Sequence, residues 1–195
     1  MRHLLEVAKA RLSARRFAHV EGVIITAQQL ADRYHLDPEK AGIAAVLHDI
    51  DREQKASALK LLADELGLLL PDEHEATWHG PVTAARLARD FQIEDDEIAN
   101  AITWHTVGHP EMGLLAQVIY VADAIEPGRN YMGVERLRLA ATMDLQLAVA
   151  VIADASIMYL IGKNDSIAMS TVALRNKMWR LVDEKLKNDY NQGSR

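Results

Sequence analysis

Apolar residues recur along this chain at intervals of three and four, the spacing that gathers them on one face of a helix. Leu4, Leu5, Ala8 and Leu12 form a first stripe, and Ser13 follows as a cap. A second helix is expected over about 14–34, with Phe17, Val20, Ile24, Ala27 and Ala31 on its apolar face. Asp37-Pro38 reads as an N-cap with proline at the first helical position. The helix it opens carries Ala41, Ala44, Ala45 and Leu47 and ends near His48-Asp49. Further helices are expected near 54–66, stopping at Gly67, from Gly80-Pro81 to about Phe91, and over 96–105 behind Asp95. The run from Gly113 to Ala122 is apolar throughout its centre and reads as a buried helix. Three more are expected near 133–142, 144–162 and 170–188, and the polar residues from Asn188 to Arg195 are expected to fray. There is no hairpin signal, internal repeat or domain-separating linker. The pattern predicts an all-α fold in one domain over 1–188 with a polar tail at 189–195.

Composition supports this reading. Aromatic residues make up 5% of the 195 positions, and Ala and Leu abound, which favours helix over strand. The net charge of -6 argues against a general nucleic-acid binder, which needs a basic surface. It leaves room for a small phosphorylated substrate, because a metal pocket supplies positive charge locally. Without cysteine, disulfides and thiolate chemistry are excluded, and a metal must be held by nitrogen and oxygen. The charged N-terminus lacks the apolar run of a signal peptide, and no stretch reaches about 18 apolar residues. No membrane association is expected, and a reducing cytoplasm is compatible with the composition.

Candidate chemistry lies in the histidines and aspartates. His19, His48, His79 and His105 fall on four different expected helices or helix ends, and imidazole with carboxylate suits divalent Fe, Mn or Zn. A His-Asp dipeptide alone carries no signal, but Asp49 closes the apolar run AGIAAVLHDI and Asp123 interrupts VIYVADAIEP. A buried carboxylate needs compensation, from a metal or from a salt bridge or hydrogen bond to a neighbouring helix. Both readings stand for each aspartate; together with the histidines they favour a metal. HEATWH, from His74 to His79, looks like a zinc-protease motif, but its histidines are five apart rather than four and do not share a helix face. His3 and His35 read as solvated, and His109 as a loop residue at a pocket rim.

The order His, His-Asp, Asp resembles the signature of the HD phosphohydrolase superfamily, and the two intervening histidines resemble its two-metal subset. The segments RFAHV, AAVLHDI, EIANAITWHTVG, VIYVADAIEPGR and GVERLRLAA, with HG at 79–80, are similar to the YqeK-like family of HD-domain symmetrical bis(5'-nucleosyl)-tetraphosphatases. HTVG and ADAIEPGR are the most discriminating pieces, and the resemblance runs from about Arg11 to Lys187. It implies a helical bundle around a two-metal site. It implies His19, His48, Asp49 and Asp123 as ligands of one metal, Asp49 as bridge, and His79 and His105 completing the second. It implies iron, with manganese compatible. The implied reaction cuts diadenosine tetraphosphate into two ADP by attack of a metal-bridging hydroxide.

One position departs from the wider pattern. Where many HD enzymes carry HDxxK, this chain has HDIDR, so Arg52 stands in place of the phosphate-binding lysine, flanked by Asp51 and Glu53. Arg52, Arg129 and Arg16 are candidates for substrate phosphates, because their paired donors match phosphate oxygens. Thr106 is a further candidate, with capping or packing as its alternative. Trp78 and Trp104 read as core packing before base stacking, and Glu126 as structural. An HD phosphohydrolase acting on another nucleotide, such as a guanosine alarmone or nucleoside monophosphate, is the competing enzyme reading. A non-catalytic HD-like signalling module is the competing class, against which all six ligand positions carry metal-binding side chains. Apolar helices such as 144–162 fit a homodimer face and a core role equally.

Overall fold

The structure, a computed structural model, describes residues 1–70 and 75–193. His74 of the HEATWH segment and the last two residues of the expected tail, Ser194 and Arg195, lie outside the described residues. The described residues form eleven α-helices and no strand: α1 (Arg2–Arg11), α2 (Ala14–Arg33), α3 (Pro38–Leu47), α4 (Ala56–Glu65), α5 (His79–Ala85), α6 (Asp96–Trp104), α7 (Leu114–Ile125), α8 (Val134–Met143), α9 (Leu145–Lys163), α10 (Met169–Leu181) and α11 (Glu184–Gly193).

Local chemistry starts these helices where the pattern places them. The Ser13 hydroxyl accepts the Arg16 amide, Asp37 accepts the amides of Glu39 and Lys40, and Asp95 accepts those of Glu97 and Ile98. Gly67 follows α4 at φ 64°, a conformation glycine adopts without a side-chain clash.

Three stretches differ from expectation. The helix expected from Gly80 to Phe91 starts at His79, breaks at Arg86 and continues as a π-turn over Leu87–Phe91. The helix expected over 170–188 is two helices, because the Asp183 carboxylate accepts the Lys185 amide and caps a new start. The segment expected to fray is helical as far as Gly193, with Tyr190 1% exposed against α8 and its hydroxyl accepting from Arg136.

Helix α7 is the axis of the bundle. Every residue from Leu115 to Ala122 is buried, and α2, α3, α6, α8 and α9 all pack on it. A helix apolar on all sides is stable in water only when surrounded in this way. Helix α9 is long and apolar enough, by length and composition, to cross a membrane. Its residues Leu147 to Ala153 are buried in the bundle, however, while Met158, Tyr159 and Ile161 near its end are exposed.

The turn after α3 is tied down by a buried ion pair. Asp51 is fully buried and accepts from the Thr83 hydroxyl at 2.8 Å and the Gln54 amide at 2.6 Å, with Arg86 Nη1 3.4 Å from its Oδ2. Arg86 in turn reaches Asp90 at 2.7 Å. This network fixes the His48–Asp49 turn to α5. Asp51→Ala removes the buried partner of Arg86 and the acceptor of Thr83, leaving Arg86 only Asp90, and urea unfolding is expected to show a loss of about 3 kcal/mol; a change within the error of the wild-type value would remove the network from the fold's support.

Candidate metal centre

Helix ends bring the imidazoles together. His48 follows the last residue of α3, His105 follows the last of α6, and His79 is the first of α5. Carbonyls in such end turns are not all used by the helical ladder, and each ring takes the one three residues upstream. His48 Nδ1 lies 2.7 Å from the Ala45 oxygen, His105 Nδ1 2.7 Å from that of Ile102, and His79 Nδ1 3.0 Å from that of Ala76. A carbonyl only accepts, so each Nδ1 carries the proton and donates it, and each Nε2 is left with a lone pair. Close approach of α5 and α6 requires Gly80: a Cβ there would stand 2.7 Å from the Ile102 oxygen.

The inward Nε2 atoms and one carboxylate form two triads sharing Asp49: His19, His48 and Asp49, and Asp49, His79 and His105. In the second, Asp49 Oδ1 lies 3.1 Å from His79 Nε2 and 3.5 Å from His105 Nε2, and the two nitrogens are 3.0 Å apart. In the first, Asp49 Oδ2 lies 3.5 Å from His48 Nε2 and 3.8 Å from His19 Nε2. Asp123, on α7, joins this side, with Oδ1 3.0 Å from His19 Nε2 and 3.9 Å from His48 Nε2.

These donors fit a bound cation. Two neutral rings with occupied Nδ1 atoms point lone pairs at each other across 3.0 Å, which repels unless a proton or cation intervenes. His19 Nε2 and His48 Nε2 are buried without a hydrogen-bond partner, an arrangement that is costly in a dry interior. Donors about 2.1 Å from a common metal lie about 3.0 Å apart at right angles and about 4.2 Å apart when opposite, and every edge given above falls in that interval. The His/Asp cluster therefore fits a divalent metal cofactor.

Electrostatics point the same way. Burial pushes the His48 imidazole down to about 4, despite the opposing pull of Asp49, and lowers His79 as well. Both are neutral at pH 7, as ligands must be. Burial also opposes a charge on His105, but hydrogen bonding to Asp49 and its negative charge outweigh that and raise it. Burial would raise Asp49, yet His48, His105 and His79 together hold it well below the ordinary carboxylate range.

The other sequence candidates surround this cluster. Arg16 Nη1 lies 2.7 Å from Asp49 Oδ2. Arg129 donates through Nε to the Asp123 carbonyl at 2.8 Å and through Nη2 to its carboxylate. The Thr106 hydroxyl is 2.9 Å from His105 Nε2. Arg52 donates to the Ala76 carbonyl and lines a cavity of about 350 Å³ together with Arg16, Gln54, Glu75 and His79. Its acidic neighbours do not hold it: Asp51 is committed to Thr83, Gln54 and Arg86, and Glu53 accepts from the amide and hydroxyl of Ser13. Trp104 packs on the core and stacks on His109 with centroids 4.4 Å apart, and Trp78 packs beside Leu59 and Val82. Glu126 contacts His19, a role that sequence reading missed. Its sequence signals are a place one turn beyond Asp123 and membership of the ADAIEPGR segment.

Comparison with known proteins places this geometry in a family. The HD domain model matches residues 16–128. Two relatives named symmetrical bis(5'-nucleosyl)-tetraphosphatase match along nearly their whole length. The one from Bacillus subtilis is 36% identical over 88% of this chain and 94% of its own. The one from Halalkalibacterium halodurans is 34% identical over 93% and 97%. A solved structure from Clostridium acetobutylicum, described as a predicted HD superfamily hydrolase involved in NAD metabolism, superposes with a TM-score of 0.86 at 33% identity, covering 92% of this chain and 97% of that one. The fold and the His/Asp cluster thus define an HD-domain protein, and the chain belongs within that class to the symmetrical bis(5'-nucleosyl)-tetraphosphatase family.

The titration pattern predicts proton release on metal uptake. In the cation-free protein the hydrogen bond and negative charge of Asp49 raise the His105 imidazole above its ordinary 6.5, so it keeps a proton to higher pH than a free imidazole does, and a cation must displace that proton. Apparent affinity should fall as pH is lowered through and below that point and level off above it. Calorimetric titration with Mn(II) at pH 7, in two buffers of different ionisation heat, is expected to report release of up to about one proton. Identical heats in both buffers would contradict it.

Proposed function

We propose that the protein hydrolyses dinucleoside tetraphosphates symmetrically, diadenosine tetraphosphate giving two ADP, with two divalent cations held by His19, His48, Asp49, His79, His105 and Asp123. The carrying observation is the pair of His/Asp triads that meet at Asp49, one facing its Oδ1 and the other its Oδ2, and the family's named activity supports the substrate. Asp49 is the bridging ligand in this reading. His19, His48 and Asp123 complete one site, and His79 and His105 the other. Iron is the proposed metal, with manganese as substitute, since nitrogen and oxygen donors suit both.

When bound, the cations supply Lewis acidity toward phosphoryl oxygens and bring the ionisation of water toward neutral pH. The chain supplies the rest. Arg52 spends one N–H on the Ala76 carbonyl, which orients the guanidinium in the cavity beside His79 and leaves further donors for phosphate oxygens. Arg16 and Arg129 stand against Asp49 and Asp123, so they neutralise those carboxylates and draw the negative tetraphosphate toward them. The Thr106 hydroxyl, exposed beside His105, is placed to donate to a phosphate oxygen. The departing ADP is a stable anion, so positioning and charge neutralisation carry the reaction without a strong general acid. The substrate is a small molecule; a cytoplasmic location accords with it. A homodimer is supported by the exposed apolar side chains Met158, Tyr159, Ile161 and Met169, and sedimentation across concentrations reads it.

Product analysis tests the central claim. Incubation with diadenosine tetraphosphate and Fe(II) or Mn(II) is expected to give ADP alone. AMP with ATP would mean another point of attack, and turnover of a guanosine alarmone with the tetraphosphate untouched would overturn the substrate. Asp49→Ala is expected to abolish turnover while the helical circular dichroism stays. Arg52→Ala is expected to lower kcat/KM roughly 10- to 100-fold, the loss of a charge-assisted hydrogen bond worth about 1.5–3 kcal/mol.

A further inference from the structure

Three of the four imidazoles are set by main-chain carbonyls at helix ends; His19 is not. It lies within α2, where upstream carbonyls are committed to the helical ladder and offer no free acceptor. Its Nδ1 lies instead 3.1 Å from Oε1 of Glu126, the residue that follows α7. Glu126 is 3% exposed, and its other oxygen accepts the Gly128 amide. The surroundings leave room for this carboxylate and little else. Gly22 is one turn beyond His19 on α2, and a Cβ there would stand 2.3 Å from Glu126 Oε2; one at Gly128 would stand 3.0 Å away. Arg129 Nε, 4.0 Å from Oε1, adds positive charge nearby.

We propose that Glu126 is a positioning residue for cation binding through His19. Its carboxylate accepts the Nδ1 proton, selects the tautomer whose Nε2 lone pair faces Asp49 and Asp123, and makes that nitrogen a stronger donor to a metal. Gly22 and Gly128 are the clearance that lets the carboxylate sit there. Glu126 does not itself touch the inward face of the cluster; it acts on the far side of the ring. The inference rests on reading the cluster as a cation site and is independent of which nucleotide is cleaved.

Cation binding measured without substrate tests it. Wild type, Glu126→Ala and Glu126→Gln are stripped with chelator and titrated with Mn(II) by calorimetry. The ring-nitrogen NMR signals of His19 are recorded in the stripped proteins. Wild type is expected to show the His19 Nδ1 proton held in the hydrogen bond to Glu126. In Glu126→Ala one of two cations should bind about 10–100-fold more weakly, the other should keep its affinity, and His19 should become a mixture of tautomers. Glu126→Gln keeps the shape and an acceptor without the charge, so it should fold as wild type does and lose less affinity. Wild-type affinity for both cations in both variants, with the His19 signal unchanged, would overturn the proposal. So would equal weakening of both cations, since that marks general support of the site. The wild-type titration answers separately whether the cluster takes up cations, and product analysis answers which substrate is cut.

Discussion

Four imidazoles and two carboxylates meet in the middle of a helical bundle with their lone pairs turned toward one another. Such a cluster is unfavourable in a dry interior unless positive charge fills it. The rest of the structure follows from that constraint. Arg16 and Arg129 lean on Asp49 and Asp123, and the negative charge of Asp49 raises the tendency of His105 to take up a proton. The distances among the donors are those of ligands around shared cations. A core assembled for stability alone would place apolar side chains there, because replacing buried charges by well-packed apolar groups is often neutral or stabilising.

Precision in the cluster comes from the backbone. His48, His79 and His105 sit where helices begin or end, and the carbonyls of those end turns take up the Nδ1 protons. The same groups that a helix leaves unsatisfied thus decide which nitrogen faces inward. His19 is the exception within a continuous helix, and there a carboxylate stands in for the carbonyl. Beneath this, the buried Asp51–Arg86 pair ties the His48–Asp49 turn to α5, and Gly80 lets α5 meet the end of α6. Fold and site are therefore one arrangement. Helices α2, α3 and α6, which pack on α7, carry His19, His48 and His105, and α5 brings His79 in by packing on α6.

The helical pattern was legible because each apolar face is written locally, in residues three and four apart, and several starts are written in a capping side chain. Where expectation differed, the deciding signal was weak in the same local terms. Asp183 lies inside an otherwise helical run, so its cap was hidden, and the break at Arg86 comes from a side chain drawn down to Asp51 by tertiary contact. Tyr190 is a single apolar residue in a polar stretch, too little for a stripe, and only the α8 surface makes it a buried anchor.

For the site, the order of residues settled the inventory: which side chains can bind a cation, their succession along the chain, and their place on helices or helix ends beside apolar runs. Tertiary structure alone decided their geometry. It set the separations near 3 Å, the sharing of Asp49 between two triads, and the release of Arg52 from its acidic neighbours, which pair with Ser13, Thr83 and Arg86 instead. It also joined Glu126 to His19 across 107 residues. Local propensities act over a few residues and leave their mark in any short window. A contact between distant segments depends on how whole helices pack, and no short stretch of sequence records it.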